Sequence, residues 1–290
     1  MVDATGRSSL SPLHKCTAVI RMLAYGTSVD SVDDYLRICE TTTLKCVDKF
    51  TRGVISIFGA QYLRRPNAKY IERLMRMGEA RGFPSMLGSI DCMHWEWKNC
   101  PVALKGQYVR AGSNNDINVL NQSNVFNDVL QGRAPKIHYT IDRTGYNKDY
   151  YLTYGIYHEW TTFVKSIPMP QGDKRKLFAP HQEWARKDNE RAFGVLQSQF
   201  AIICNPTRSW HLDTLRRIMN TYIILHNMIV EDERATYGEN FDFSYDHLNN
   251  DLTILPNDSN IDFQEFLRRR FDVRDKQIHR RLQQDLIEHI

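Results

Sequence analysis

Two acidic residues of the sequence are candidate ligands for a catalytic divalent metal. Asp91 follows an apolar run at residues 86–90 that is typical of a β-strand. Glu190 lies far downstream, in a segment at residues 178–203 with helical periodicity. Carboxylates brought together from distant elements are the ligands with which proteins hold catalytic divalent metals. The pair therefore indicates a metal site, and whether a third carboxylate joins it decides whether the chain is an enzyme.

The composition is that of an ordinary globular protein. The 290 residues are enough for one large domain or two small ones, with 42% hydrophobic and 25% charged residues. A net charge of +4 permits nucleic-acid binding without arguing for it. The six cysteines form no CxxC pair, which disfavours a structural zinc site and fits reduced thiols. Without an apolar run of membrane-spanning length, we expect a nuclear or cytosolic protein with no membrane contact.

The N-terminal part, residues 1–85, is predicted to be helical. Apolar spacing predicts an amphipathic helix at residues 14–24, a short helix at residues 29–38, and a third helix capped by the threonines at 41–43. This order resembles a helix-turn-helix, with a plain three-helix packing unit as the alternative. Acidic side chains in the second helix are unfavourable next to phosphate. A further helix is expected at residues 71–77, ended by Gly78 or Gly82.

The remainder is predicted to be an α/β domain at residues 86–235, followed by a linker and a C-terminal amphipathic helix at 236–290. The expected elements are strands at 86–90, 137–141 and 150–154, a turn at 142–145, and helices at 178–203, 212–230 and 262–290. The buried stripe of the helix at 178–203 is predicted to comprise Ala185, Ala192, Phe193, Leu196, Phe200 and Ile203, with Glu190 at its edge. The C-terminal helix has an apolar stripe without an obvious core to join, which makes it a candidate docking element.

Several longer motifs are spread over most of the chain. They lie at residues 21–26 (RMLAYG), 81–84 (RGFP), 87–95 (LGSIDCMHW), 112–116 (GSNND), 186–188 (RKD), 190–194 (ERAFG) and 225–233 (LHNMIVEDE). In these motifs the chain resembles plant transposase-derived proteins of the PIF/Harbinger superfamily, which are DDE-type nucleases.

The resemblance implies a ribonuclease-H-like fold in which two Asp and one Glu hold two Mg²⁺ or Mn²⁺ ions for phosphodiester chemistry on DNA. Matched residue by residue, Asp91 is the first Asp and Glu190 is the Glu. The second Asp is expected in a segment of the form Tyr-Tyr-Leu-Ala-Asp-Gly-Ile-Tyr, where this chain has Tyr154. A neutral phenol with a pKa of about 10 cannot replace a carboxylate that bridges two hard cations.

The sequence departs from the resembling proteins a second time before Gly112. Between residues 106–108 and 112–114, those proteins carry a long apolar segment that is expected to supply the second and third strands of the sheet, and here the two flanks nearly touch. Losing two strands would expose an edge of the strand that carries Asp91. Either the sheet is rebuilt from residues 137–154 or the domain is poorly stable. The pattern fits a decayed transposon copy or a gene model that lacks an exon.

Each acidic residue has a plainer alternative role. Asp91 could cap a turn, and Glu190 could be a surface residue paired with Arg186 or Arg191. Asp116 is a candidate substitute ligand, although a turn-stabilising role is the alternative. Asp149 is a weaker substitute, because strand alternation and its shifted position count against it.

Two functions follow from these observations. The first is a transposase-derived nuclear protein with little or no nuclease activity that keeps a role in binding DNA or protein. The resemblance implies a Myb-like DNA-binding protein or a chromatin-silencing complex as its partner. The alternative is an active Mg²⁺- or Mn²⁺-dependent DNA endonuclease that uses Asp91, Glu190 and a displaced carboxylate. A chain that forms no stable protein is the third alternative.

Overall fold

The computed structural model describes residues 10–26, 38–64, 66–105, 116–117, 119–120, 137–207, 211–237, 268 and 271–290. Helices and short strands alternate along this part of the chain. In chain order they are α1 (Pro12–Tyr25), α2 (Glu40–Tyr62), α3 (Ala68–Glu79), β1 (Met86–Ser89), β2 (Tyr139–Ile141), β3 (Thr144–Tyr146), β4 (Tyr150–Thr153), β5 (Phe163–Lys165), α4 (Asp173–Gln199), α5 (Leu212–Tyr237) and α6 (Lys276–His289). The mixture of helices and small sheets confirms the predicted α/β class. None of the helices described here is long and apolar enough to cross a membrane.

Two compact units are interleaved along the chain. Unit 1 comprises residues 1–65, 94–109 and 193–251, and unit 2 comprises residues 66–93, 110–192 and 252–290. Each unit is therefore assembled from distant segments. The division into domains at residues 85 and 235 stays a prediction.

Unit 1 is helical in its described part. The predicted helix at residues 14–24 is confirmed as α1, which Ser11 caps by accepting a hydrogen bond from the His14 amide. The threonine cap of the third helix was wrong, because α2 already begins at Glu40 after an extended Cys39. The Thr43 hydroxyl instead donates to the Cys39 carbonyl at 3.2 Å, inside the first turn. Residues 27–37 lie outside the described part, so the helix-turn-helix stays a prediction.

Of two predicted helix ends, one was right in its second alternative and the other was wrong. Helix α3 runs through Gly78 to Glu79, and Gly82 then ends it with a φ of 81° and an amide that donates to the Glu79 carbonyl at 2.9 Å. A Cβ atom at Gly78 would lie 2.7 Å from the Phe83 carbonyl oxygen, so this glycine serves close packing and does not end the helix. Helix α5 continues through the acidic run at 231–233 to Tyr237, and Glu231 accepts a hydrogen bond from the Tyr62 hydroxyl.

Unit 2 contains a three-stranded parallel sheet in the order β1-β4-β5. The predicted strands at 86–90 and 150–154 are thereby confirmed as partners, and the Ile90 amide extends the pairing by donating to the Leu152 carbonyl at 2.9 Å. The third predicted strand forms β2 of a separate hairpin with β3. Asp142 and Arg143 turn this hairpin with positive φ angles of 42° and 67°. Within the described residues, the sheet is therefore rebuilt from β4 but not from the hairpin.

Both faces of the parallel sheet are covered, as parallel sheets require. Tyr150 and Leu152 point into one core, which also holds residues of α4 and α6. Tyr151, between them in sequence, contacts the cores on the opposite face, to which α3 contributes. Strand β5 was not predicted, because it is only three residues long and two of them are fully buried, so no alternation of polar and apolar residues marks it.

The predicted buried stripe at residues 178–203 is confirmed for Ala185, Leu196, Phe200 and Ile203. Helix α4 begins at Asp173, and in unit 2 it also buries Phe178, Gln182 and Arg186, which were not predicted. The Gln182 amide nitrogen donates to the Val164 carbonyl at 2.8 Å, which fixes α4 against β5. Ala192, predicted to be buried, is exposed. The stripe includes two polar residues because each has a partner. Gln182 donates to a carbonyl of β5, and Arg186 lies against the aromatic ring of Tyr154.

The prediction of a free C-terminal docking helix was wrong for the described residues. Leu282, Leu286 and Ile287 of α6 are buried in the core that α4 and the sheet share. The Gln283 amide nitrogen also donates to the Lys165 carbonyl at 2.7 Å. Of the predicted apolar stripe, Ile278 is 44% exposed, and residues 262–267 lie outside the described part. The apolar face of α6 is thus part of the fold of unit 2.

We predict that Leu286→Ala lowers the free energy of unfolding by about 2–5 kcal/mol, because it opens a cavity in the shared core. Ile278→Ala on the same helix is the matched control and should change it by less than about 0.5 kcal/mol. Urea denaturation of both variants measures the difference. Equal effects would contradict the packing of α6 into the core.

A second prediction concerns His279, which is 2% exposed. Its Nδ1 lies 3.0 Å from the Trp160 carbonyl oxygen and 2.9 Å from that of Phe163, and since carbonyls only accept, Nδ1 carries a proton. Burial lowers the pKa of His279, while the two carbonyls and Glu159 oppose this shift. The unfolded chain therefore binds a proton that the folded chain excludes.

Stability from His279 is present above its unfolded pKa of about 6.5 and falls, by at most about 1.4 kcal/mol per pH unit, as the pH drops below that value. Urea denaturation between pH 8 and 5 measures the slope. His279→Asn should flatten the slope at lower overall stability, whereas the exposed His289→Gln should keep it. An unchanged slope in His279→Asn would contradict the prediction.

Candidate functional site

The candidate site lies at the carboxyl edge of the parallel sheet in unit 2. Because β1 and β4 run parallel, the chain leaves both strands at the same edge. Asp91 follows β1 and Tyr154 follows β4. The position of the first predicted ligand and the position where a second was expected are therefore neighbours. Helix α4 adds Arg186 and Glu190, which lie four residues apart and share one helix face.

Tyr154 contacts both of these α4 side chains. Its hydroxyl donates a hydrogen bond to Oε1 of Glu190 at 2.6 Å. The Arg186 guanidinium lies over the ring, with Cζ 3.4 Å from the ring centroid. Arg186 is only 6% exposed, whereas Glu190 is exposed. A single phenol thus joins a buried cation to an exposed carboxylate.

Tyr154 is held as a neutral phenol. Its hydrogen bond to Glu190 raises the pKa of Tyr154, and burial raises it further, while Arg186 opposes both effects. The hydroxyl therefore acts as a donor toward the carboxylate. In this arrangement it offers no anionic oxygen to a metal.

Asp91 lies within the electrostatic field of the other predicted ligands. Its Oδ1 accepts a hydrogen bond from the Cys92 amide at 2.8 Å. Burial is the largest effect on its pKa and raises it, the Cys92 amide and Arg186 lower it, and the charges of Glu190 and Asp116 add smaller increases. The charges of the other two predicted carboxylates therefore act on Asp91.

Asp149 lies at the wrong end of the sheet. It precedes β4, and Tyr150 at the start of that strand pairs with Met86 at the start of β1. Asp91 leaves β1 at the other end, so the length of a strand separates the two carboxylates. Asp149 is also 4% exposed, and its burial raises its pKa. This position agrees with the sequence-based expectation that Asp149 is a weak substitute ligand.

Two neighbours of the site were not foreseen from the sequence. Tyr157 is buried and donates a hydrogen bond to Sγ of Cys92 at 3.3 Å, beneath the turn that carries Asp91. Burial raises the pKa of the Cys92 thiol. The role of Arg186 was also underestimated, since the sequence suggested only a surface pair with Glu190. Its place one helical turn after Gln182, on the buried stripe, is the signal that could have revealed it.

An ion pair between residues of two motifs lies on α4 close to Glu190. Arg81, after α3, forms an ion pair with Asp188 on α4 and lies over the Trp184 ring, with Cζ 5.3 Å from the centroid. Asp188 also pairs with Arg191 at 3.3 Å. Two distant motifs of the sequence therefore meet in one contact, which fixes the rotation of α4 next to Glu190.

These residues do not fit a centre of two divalent metals. Among the residues that the structure describes, no group of three or more His, Cys, Asp or Glu side chains is arranged to hold a metal ion. One oxygen of Glu190 accepts from Tyr154 and one oxygen of Asp91 accepts from an amide. The cation already present beside them is the guanidinium of Arg186. A pair of hard divalent ions needs a further carboxylate to bridge them, and position 154 offers a neutral phenol instead.

Comparison with known proteins gives one result. The model of a family described as "Plant transposon protein" matches residues 60–113 and 109–237. The two matched stretches meet at residues 109–113 and together cover more than half of the chain, including Asp91, Tyr154 and Glu190. Neither a curated protein nor a solved structure matches.

Proposed function

This chain belongs to the plant transposon protein family and is therefore of transposase-related origin, and on that premise we propose that it is a PIF/Harbinger-type, transposase-derived protein that no longer cleaves DNA. The observation that carries the proposal is Tyr154. It stands where the resemblance expects the second Asp, and its hydroxyl donates to the Glu190 carboxylate at 2.6 Å.

The chemistry of the nuclease reaction supports this loss of activity. Phosphodiester cleavage of this type depends on carboxylates that clamp two cations on the attacking and leaving oxygens. Here a phenol replaces one carboxylate, and a buried guanidinium lies beside the other two. In this proposal Asp91 and Glu190 descend from catalytic ligands and no longer serve as such.

The strand arrangement supports an incomplete ribonuclease-H-like domain. A parallel pair of strands carries the two ligand positions, and α4 follows the sheet with the third. The family match divides at residues 109–113, next to the point where the sequence lacks an apolar segment. In this proposal the missing segment would have supplied strands beside β1.

The residual role that we propose is binding to DNA or to a chromatin partner in the nucleus. The exposed basic run at the start of α4, which includes Arg175 and Lys176, supports a contact with phosphate. A Myb-like DNA-binding protein or a chromatin-silencing complex is the partner implied by the resemblance.

An active Mg²⁺- or Mn²⁺-dependent endonuclease is the second candidate. One observation favours it, because the charge of Asp116 raises the pKa of Asp91, Cys92 and Tyr157, so Asp116 lies near the carboxyl edge. In this alternative Asp116 replaces the lost Asp as a ligand, together with Asp91 and Glu190.

We predict that the purified protein does not nick supercoiled plasmid DNA in Mg²⁺ or Mn²⁺ above the level of an Asp91→Asn variant. The reason is that Tyr154 offers no anionic oxygen to a metal. Gel electrophoresis of the plasmid measures the nicked fraction. Nicking that is lost in both Asp91→Asn and Asp116→Asn would support the endonuclease instead.

We also predict salt-dependent binding to duplex DNA, measured by fluorescence anisotropy with a labelled oligonucleotide. Replacing Arg175 and Lys176 with Ala should reduce the slope of log K against log salt by up to about 2, since each phosphate contact contributes about 1. Lys187→Ala is the control, because its ammonium already pairs with Glu183 at 3.6 Å. Absence of binding at low salt would contradict the DNA-binding role and favour a protein partner.

A further inference from the structure

We infer that Arg186 is the resident cation of the carboxyl edge and that Tyr154, Arg186 and Glu190 form a metal-independent brace between β4 and α4. The inference rests on the proposed loss of nuclease function, since it concerns the same site. It goes further because it assigns a structural role to the residue that replaced the lost ligand.

The geometry gives Tyr154 two different contacts at once. Arg186 and Glu190 lie on one face of α4, one helical turn apart. The ring of Tyr154 covers the guanidinium at 3.4 Å, and its hydroxyl reaches the carboxylate at 2.6 Å. The side chain that follows β4 is therefore fixed to α4 at two points. A shorter side chain at this position could not make both contacts.

Burial of Arg186 makes the ring contact important. A guanidinium cannot lose its proton, so a side chain that is 6% exposed keeps a full charge out of water. Its Nε atom is buried without a hydrogen-bond partner. The negative face of the Tyr154 ring and the nearby charges of Asp91 and Glu190 are what offset that cost. Without the ring, the guanidinium of Arg186 would lose one of the groups that offset the cost of its burial.

Counting charges shows why this arrangement needs no metal. Asp91, Glu190 and Arg186 together leave one net negative charge, with Asp116 contributing less to the field at Asp91. A carboxylate at position 154 would leave two, and it would lack the ring that covers the guanidinium. Such a cluster would be stable only with an added cation. Tyr154 therefore removes the requirement for a metal as well as the ability to bind one.

The brace acts on the central strand of the sheet. Within the described residues, β4 lies between β1 and β5 in a sheet of three short strands. Beyond the end of β4, the contact of Tyr154 with α4 adds a tie that does not depend on backbone pairing. The carboxyl edge thus remains joined to α4 although catalytic function has been lost.

Thermal unfolding in EDTA and in millimolar Mn²⁺ tests the inference. The wild type should have the same Tm in both. Tyr154→Phe keeps the ring contact and should lower Tm by about 2–4 °C, while Tyr154→Leu loses both contacts and should lower it by about 4–8 °C. Tyr70→Leu is the matched control, because Tyr70 lies in the same unit with Arg73 over its ring at 5.9 Å, on an exposed surface. It should lower Tm by less than about 2 °C.

Tyr154→Asp provides the sharpest comparison. Its Tm in EDTA should lie below that of Tyr154→Leu, and Mn²⁺ should raise it, while Mn²⁺ leaves Tyr154→Leu unchanged. No response of Tyr154→Asp to Mn²⁺ would overturn the charge argument. If this variant fails to fold in both conditions, the Tm differences between the wild type, Tyr154→Leu and Tyr70→Leu test the brace.

Two other results would overturn the inference. Equal losses in Tyr154→Leu and Tyr70→Leu would show that the brace contributes nothing. A Mn²⁺-dependent rise in the Tm of the wild type that Asp91→Asn abolishes would show that a metal site persists. The second result, combined with absence of nicking, would reject the brace and leave the proposed loss of nuclease function standing.

Discussion

The parallel pairing of β1 with β4 is the constraint on which unit 2 depends. It carries two chain segments, distant in sequence, to a common edge and delivers Asp91 and Tyr154 there. Parallel strands need cover on both faces. Here α4 and α6 supply one cover and α3 the other, which explains why a helix at the far end of the chain joins this core. The candidate site and the helices around it are therefore consequences of one strand pairing.

A buried guanidinium imposes the second condition on the site. Arg186 lies on the stripe that packs α4 against the sheet, so it cannot move to solvent without withdrawing the helix. Whatever occupies position 154 must accommodate that charge. A carboxylate would do so by ion pairing and would then share the region with two further carboxylates. A tyrosine does so through its ring face, and it directs its hydroxyl to Glu190. A tyrosine at this position is therefore compatible with the packing of α4, although a neutral phenol is a poor ligand for a divalent metal.

Local pattern was enough to predict α1 and α3, which show helical periodicity, and β1 and β4, which are short apolar or aromatic runs beside residues that end an element. It failed where distant contacts decide the outcome. Helix α6 has the periodicity of a surface helix, and only the tertiary position of Leu282 and Leu286 shows that it belongs to the core. A glycine such as Gly78 is typical of a helix end, but here the close approach of the Phe83 carbonyl is the reason for a residue without a side chain. Asp91 and Glu190 could be singled out from residue type and resemblance, whereas the burial of Arg186 needed the packing of α4.

The two departures from the resembling family, before Gly112 and at Tyr154, differ in physical kind. In the proposal, the segment that is missing before Gly112 would have paired beside β1, which lies at an edge of the sheet within the described residues. Tyr154 concerns the charge of the site. A neutral ring lies over the Arg186 guanidinium at the position where the resemblance expects an aspartate. A weakened sheet tolerates electrostatic repulsion poorly, because less backbone pairing opposes it. On the proposed loss of strands, a lower negative charge at this edge and the tie of β4 to α4 through Tyr154 would both offset the weakness of a shortened sheet.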